Sequence, residues 1–370
     1  MRGRRELFTS YQADQAPLNT PAKRGWTAAL VIGLLVLPFG LSGELQALMA
    51  TAFAAGIGAI GLNIVTGFAG QVSLGHAFFL GVGAYTGAVL SGDPEGRTLG
   101  YGLDMLVWLP AAGLLPALVG FLVAPVATRL KGLYLAIVTL GLVFIGEHVF
   151  REVRFITGGP GVGRPAADLT FAGVDLGSRS EIGGYLVSRE MKLYFLCLVL
   201  LAVLAVLAKN LTRSAVGRAF AAVRDRDIAA EVMGVGLAKH KAIAFAVSSF
   251  YAGIAGALLS TVTGFIEPSS YNLLLSVQYL AMILIGGLAT ISGSLLGAAF
   301  VVLLPRLVEE VPRFLPFITS QSTGGFLTTF QLQTIIYGAL IVVFLIAEPL
   351  GLYGLWVRVR NYFRAWPFSY

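Results

Sequence analysis

The sequence predicts an all-α integral membrane protein, a bundle of about ten transmembrane helices. Three observations predict it. Of the 370 residues, 56% are hydrophobic and only 12% charged, with a mean hydropathy of +0.81, whereas soluble domains carry about 25% charged residues. The apolar residues come in runs of about 17–25, the length that crosses a bilayer as a helix. Basic residues gather on alternate loops, as a threaded chain requires.

The runs fall at roughly 26–42, 45–66, 72–90, 105–127, 133–150, 192–208, 242–262, 273–290, 293–308 and 331–348. Ahead of them lies an arm, 1–25, with Arg2, Arg4, Arg5, Lys23 and Arg24 beside Glu6 and Asp14. No small-x-small cleavage site follows the first run, which reads as an uncleaved span behind a cytoplasmic leader. The inside loops are then 1–25, 67–71, 128–132, 209–241, 291–292 and 349–370. They hold about seventeen of the 26 Lys and Arg but only about six of the 19 Asp and Glu. A re-entrant third run would flip every later loop and place the basic segment 209–241 outside, so a true crossing is expected. The domain reading is a cytoplasmic arm 1–25, a transmembrane domain 26–348 with an outer loop 151–191 and an inner segment 209–241, and a cytoplasmic tail 349–370. Both termini are cytoplasmic. The net charge of +7 is mostly inside-loop charge and calls for no nucleic acid.

Forty-six glycines fit close helix packing. Gly83-x-x-x-Gly87 and Gly293-x-x-x-Gly297 are either contact faces or the product of abundance. The single cysteine, Cys197, can form no internal disulfide.

The stretch 61–89, GLNIVTGFAGQVSLGHAFFLGVGAYTGAV, is apolar enough for a bilayer yet carries Asn63, Thr66, Gln71, Ser73 and His76. An unpaired polar group in hydrocarbon costs several kcal/mol, and irregular backbone at that depth is tolerated only inside protein or beside a water-filled cavity. The five residues therefore read as the wall of a translocation path, and the chain as a transporter. The alternative is interhelical hydrogen bonding, worth about 0.6 kcal/mol per bond. His76 is the one histidine well inside a span, where an ionisable group is a functional candidate by default. His148 and His240 flank spans and read as solvated.

Two hydrophilic excursions interrupt the spans. The outer one, 151–191, contains the turn signal Gly158-Gly159-Pro160-Gly161 and reads either as a cap where a delivery protein docks or as a solvated loop. The inner one, 209–241, favours helix at 219–223 and 228–233. Asp227 is placed to cap the second piece and Gly234 to end it in the left-handed conformation. Arg224-Asp225-Arg226-Asp227 forms a charged elbow between them. Mixed charge of this kind gives register against a soluble partner; the plainer reading is an ordinary positive-inside loop.

The chain cannot supply its own ATPase. A P-loop needs Gly-Lys-Ser/Thr, and Lys23, Lys131, Lys192, Lys209, Lys239 and Lys241 all follow other residues. No metal-ligand spacing, nucleophile elbow or paired buried carboxylates occur, so the chain reads as no enzyme. Nor does it hold the series of buried Asp, Glu or His that a proton relay needs. Energy must come from another chain or from an ion gradient.

These residues resemble a known family, the LivM-like permease subunits of branched-chain amino-acid ABC importers. GLNIVTGFAGQVSLGH at 61–76 looks like its signature, and GRAFAAVRDRDIAAEVMGV at 217–235 resembles its cytoplasmic coupling segment. AGIAGAL at 252–258 and IGGLATISGSLLG at 285–297 look like its next landmarks. The similarity runs from about 61 to 347; the arm and the outer loop match nothing in it, and Ala289-Thr290 stands where the family more often has a Gly-Ser-like pair. The resemblance implies a type II ABC importer-like bundle in a bacterial inner membrane. It also implies two ATPase subunits that carry the ATP and Mg, a second LivH-like permease subunit and a periplasmic substrate-binding protein. Arg218, Arg224, Asp225, Arg226, Asp227, Glu231 and Gly234 would couple to the ATPase; no cofactor or metal belongs to this chain itself. The mostly apolar path with neutral polar groups suits a zwitterion with an apolar side chain, or a neutral solute such as urea or an amide. A single-chain secondary transporter is the other class, with a ribose-type sugar permease third; Phe78, Phe79 and Tyr85 are few aromatics for the latter.

Overall fold

The computed structural model describes residues 21–93, 98–130, 132–182, 185–309, 318–319, 327–347 and 350–365. Most of the N-terminal arm, with Arg2, Arg4, Arg5, Glu6 and Asp14, lies outside them, as does 366–370 of the tail.

Every apolar run coincides with a helix. They are α1 (Pro21–Val36, continued by a 3-10 turn Leu37–Gly40), α2 (Gly43–Asn63), α3 (His76–Ser91), α4 (Met105–Arg129) and α5 (Leu133–Glu152). A short α6 (Arg154–Thr157) leads into the outer loop. Then come α7 (Arg189–Arg213), the pair α8 (Ala215–Asp225) and α9 (Asp227–Val232), α10 (Leu237–Thr263), α11 (Leu273–Gly286), α12 (Ile291–Glu309), α13 (Thr329–Ala347) and the tail helix α14 (Gly351–Ala365). Among the described residues five helices are long and apolar enough to cross a membrane, and four more apolar helices are shorter: Arg24–Gly40, His76–Ser91, Leu273–Gly286 and Ile291–Arg306. Fold class and helix positions follow the expectation, and the ends shift where backbone chemistry intervenes. The run at 273–290 stops at Gly286 because Gly287 (φ 131) and Ala289 (φ 56) leave the right-handed region. At 14 residues, α11 spans only about 21 Å.

Side-chain caps fix several starts by accepting otherwise orphaned amides. Asp104 Oδ1 accepts from Leu106 N–H (2.9 Å), Ser188 Oγ from Met191 N–H (3.1 Å) and Asn272 Oδ1 from Leu275 N–H (3.2 Å). Helix α10 lies at the centre, packed on α2, α3 and α4. The apolar windows of α2 and α10 are 83% and 67% buried, against 28–33% for α4, α5 and α7. The latter therefore present broad apolar faces outward, as a membrane bundle must.

Small residues set the closest approach. A Cβ at Gly83 would overlap the backbone of Gly253 in α10, and one at Gly297 would overlap the Met282 carbonyl in α11. Both glycine pairs noted in the sequence thus sit in helix contacts.

The bundle has two distinct ends. At one, the α2–α3 connection, the α8–α9 pair and the 287–290 turn converge. At the other, the outer loop forms a cap of two-residue strands β1 (Arg164–Pro165), β2 (Thr170–Phe171) and β3 (Val174–Asp175) and three-residue strands β4 (Ser180–Ile182) and β5 (Tyr185–Val187). β2 pairs with β3 and β4 with β5, while β1 pairs antiparallel with β6 (Phe265–Ile266), pinning the cap to the end of α10. Helix α3 leads from the irregular connection at His76 to the cap, where the carbonyl of Ala88 meets Arg164.

Candidate functional site

The polar stretch is a break in the bundle. Helix α2 ends in a π-turn, Ile64–Phe68, a departure from α-helical bonding that recurs at functional sites. Residues 69–75 then run without regular structure until α3 begins at His76. Gly70 makes the bend with φ 68.

Asn63 holds this break to the rest of the fold. Its Nδ2 donates to Ser294 Oγ (2.7 Å), Thr290 O (3.0 Å) and Gly287 O (3.3 Å), and its Oδ1 accepts from Ala289 N–H (2.9 Å). One buried amide thus clamps the turn between α11 and α12. Thr66 donates to Gln71 O (3.3 Å), Gln71 donates to Ala69 O (3.1 Å), and Ser73 Oγ accepts from Gly75 N–H (3.4 Å), all within the break. His76 is buried with its ring centroid 4.8 Å from that of Tyr279. His76 Nε2 and the Tyr279 hydroxyl have no hydrogen-bond partner among the described residues. The five sequence candidates therefore cluster, but in different conditions. Four are engaged in bonds, whereas His76 keeps a donor or acceptor uncommitted.

The second group stands beside this break. Helix α8 starts from Ser214, whose Oγ accepts from Gly217 N–H (3.4 Å), and buries Gly217, Phe220 and Val223 along one side. Arg218, Arg224, Asp225, Arg226, Glu231 and Gly234 are exposed and Asp227 half-buried. Asp227 Oδ1 accepts from Ile228 N–H (2.8 Å) at the start of α9. Gly234, at φ 85, ends that helix: its N–H bonds Glu231 O (2.9 Å) and Val235 N–H bonds Ala230 O (2.9 Å), the paired bonds of a Schellman motif. Arg224 pairs with Asp225 (2.9 Å) and also donates from Nη1 to the carbonyl of Gly67 in the π-turn (3.2 Å). Ile228 and Val232 on α9 and Met233 just after it are 70%, 82% and 83% exposed, an apolar face outside the spans.

Sequence reasoning missed Arg164. Its guanidinium is buried beneath the cap and donates to Ala88 O (2.5 Å), Ile156 O (2.7 Å) and Leu99 O (3.1 Å). A cation there suits the carbonyl end of α3. Burial lowers its pKa, an effect opposed by Tyr85. An arginine among Gly-Pro-Gly turn signals carries no local sign that it points inward. The nearby Asp168 carboxyl is pushed above its ordinary value, first by burial and then by Asp175 and Asp93.

Comparison with known proteins bears on this arrangement. The sequence model of the family described as the branched-chain amino acid transport system permease component matches residues 45–347. The chain is 30% identical over 305 residues to the high-affinity branched-chain amino acid transport system permease protein LivM of Salmonella typhimurium, and equally to that of Escherichia coli. These matches cover 79% of this chain and 66% of each relative, so the chain spans about two thirds of their length. No solved structure matches it. Fold, family match and relatives agree: the chain belongs to the branched-chain amino acid ABC transporter permease family, as a multi-pass membrane component of a transporter and not an enzyme.

Proposed function

We propose that the chain is the permease subunit of an importer that moves branched-chain or other small amino acids into the cytoplasm of a bacterium, driven by separate ATPase subunits. The observation that carries this reading is the exposed apolar face of α9. Ile228, Val232 and Met233 lie beyond the spans, flanked by Arg224, Arg226, Asp227 and Glu231. An apolar patch with a charged rim is what a soluble partner's groove receives. The basic excess of that end favours a cytoplasmic position for it and for both termini, where two ATPase subunits would hold it. The name of the LivM relatives favours branched-chain amino acids as cargo. A second permease subunit and a periplasmic binding protein complete the assembly, the latter meeting the cap end.

In this reading Asn63, Thr66, Gln71 and Ser73 shape the inner section of the path, and His76 with Tyr279 offers solute the uncommitted polar groups. Arg218, Arg224, Asp225, Arg226, Asp227, Glu231 and Gly234 make the coupling surface. The test is charge reversal at the elbow, Arg224→Glu with Asp227→Arg, in the complex reconstituted in proteoliposomes. ATPase activity is expected to persist while amino-acid uptake falls at least about tenfold, the loss of one oriented charge pair. Unchanged uptake would refute the coupling role, and failure of any ATPase to co-purify with the wild-type chain would refute the class.

A further inference from the structure

A cavity of about 400 Å³ opens at the cap end between α2, α11 and α12, within the range of about 300–1,000 Å³ that holds small ligands. Its chemistry is divided. At the mouth stand Glu44, in the first turn of α2, and Arg306, in the last turn of α12. Each sits at the helix end whose dipole favours its charge. The walls are aliphatic, with Leu48, Met282 and Val302, and one amide, Gln278, faces the cavity.

We propose that this cavity is an outer vestibule site for a zwitterionic amino acid with an aliphatic side chain. The α-carboxylate pairs with Arg306, the ammonium with Glu44, and the side chain lies on Leu48, Met282 and Val302. The two charged groups already face each other at 3.8 Å, with side chains 56% and 84% exposed. A pair so exposed is held weakly, and a zwitterion can part it and satisfy both members. A ligand with one charge satisfies only one member. A polyanion meets Glu44, and a polar side chain loses water against the aliphatic walls. The cavity lies at the end opposite α8 and α9, so solute released at the cap reaches it before the His76 region. The inference rests on the amino-acid reading above.

The test uses right-side-out membrane vesicles containing the complete transporter and the diazirine analogue of leucine as a photoreactive probe. Label is expected on peptides of α2, α11 and α12. Leucine should suppress it at least about tenfold more effectively than 4-methylpentanoate or 3-methylbutylamine, the ratio expected from one charge-assisted hydrogen bond. Glu44→Gln and Arg306→Gln should each lower labelling by a similar factor, and Arg306→Lys should retain most of it. Label that maps elsewhere, or that a singly charged analogue displaces as well as leucine does, overturns the proposal. So does label indifferent to both Gln variants. If those variants fail to reach the membrane, the competition series on the wild-type chain decides alone. Leucine uptake by the same vesicles separates the two readings: uptake without label in the cavity sinks the vestibule only, whereas absence of both sinks the amino-acid reading with it.

Discussion

Replacing Asn63 by alanine should loosen the turn between α11 and α12, more than 220 residues away in sequence. Three bonds of good length are lost, to Ser294 Oγ at 2.7 Å, to Thr290 O at 3.0 Å and from Ala289 N–H at 2.9 Å. At about 0.6 kcal/mol for each interhelical bond in a membrane protein, the loss comes to about 2 kcal/mol. The half-buried Ala289 N–H is then left without its acceptor, which adds about 1–3 kcal/mol where water cannot reach it. A total of about 3–5 kcal/mol corresponds to a roughly hundred- to several-thousand-fold rise in local opening, at about 1.4 kcal/mol per factor of ten. Hydrogen exchange followed by mass spectrometry on the chain in nanodiscs reads this directly, as faster exchange in peptides covering 287–294. Ser294→Ala removes one bond of the set and should accelerate the same peptides only about threefold. Wild-type protection in Asn63→Ala would show that the turn is held by helix packing and that the clamp is incidental.

Gly83→Ala should cost at least about 1–3 kcal/mol, because the new methyl meets the Gly253 backbone and not a side chain that can turn away. Gly33→Ala, with nothing within 4 Å, should be neutral, and size-exclusion profiles after mild heating compare the two. Arg164→Met leaves the carbonyls of Ala88, Ile156 and Leu99 without their donor. The cap should then detach at a cost of about 2–4 kcal/mol, and limited proteolysis within 158–187 should speed up accordingly. Asp168 and Asp175 give the cap opposite pH responses. Asp168, raised above 3.8, binds its proton more tightly in the folded cap, so its contribution is fully present below 3.8 and is lost as pH rises through the raised value. Asp175 accepts from the Ser178 hydroxyl and the Gly177 N–H and is held below 3.8, so its contribution is present above 3.8 and lost as pH falls through the lowered value. Asp168→Asn should therefore slow cap proteolysis at pH 7 and leave it unchanged below pH 3.8; the reverse order would refute the assignment.

The parts of the fold set by composition were readable from the chain. All ten apolar runs coincide with helices, because burial of an apolar run in a bilayer depends on its length and little else. The α8–α9 pair was readable for a different reason. Its signals are local: Asp227 at a start, Gly234 in the left-handed position at an end. What stayed hidden were the long-range partners. Asn63 was marked as unusual by its surroundings, yet nothing near it names Ala289 or Ser294 as the groups it holds. Arg164 was hidden altogether, since a polar loop gives no sign of which charge turns inward to cap α3.

The distribution of polar groups at the break also bears on how force could travel in the proposed cycle. Arg224 bonds the backbone carbonyl of Gly67, a residue with no side chain to yield, so a displacement of the elbow acts on the π-turn itself. The same turn carries Asn63 at its start, and Asn63 is bonded to backbone groups of Gly287, Ala289 and Thr290. From the elbow to the α11–α12 turn the linkage therefore runs through the Arg224 guanidinium, the main chain of the π-turn and the Asn63 amide. Such a path is short and has one long side chain, Arg224, at its start, whereas a chain of several would absorb the motion in rotamer changes. The physical content of the coupling proposal is this short path. It makes Asn63 and Arg224 energetically dependent on each other, so a double-mutant cycle on uptake should give a coupling of about 0.5–2 kcal/mol. Strict additivity would mean that the elbow and the turn move independently.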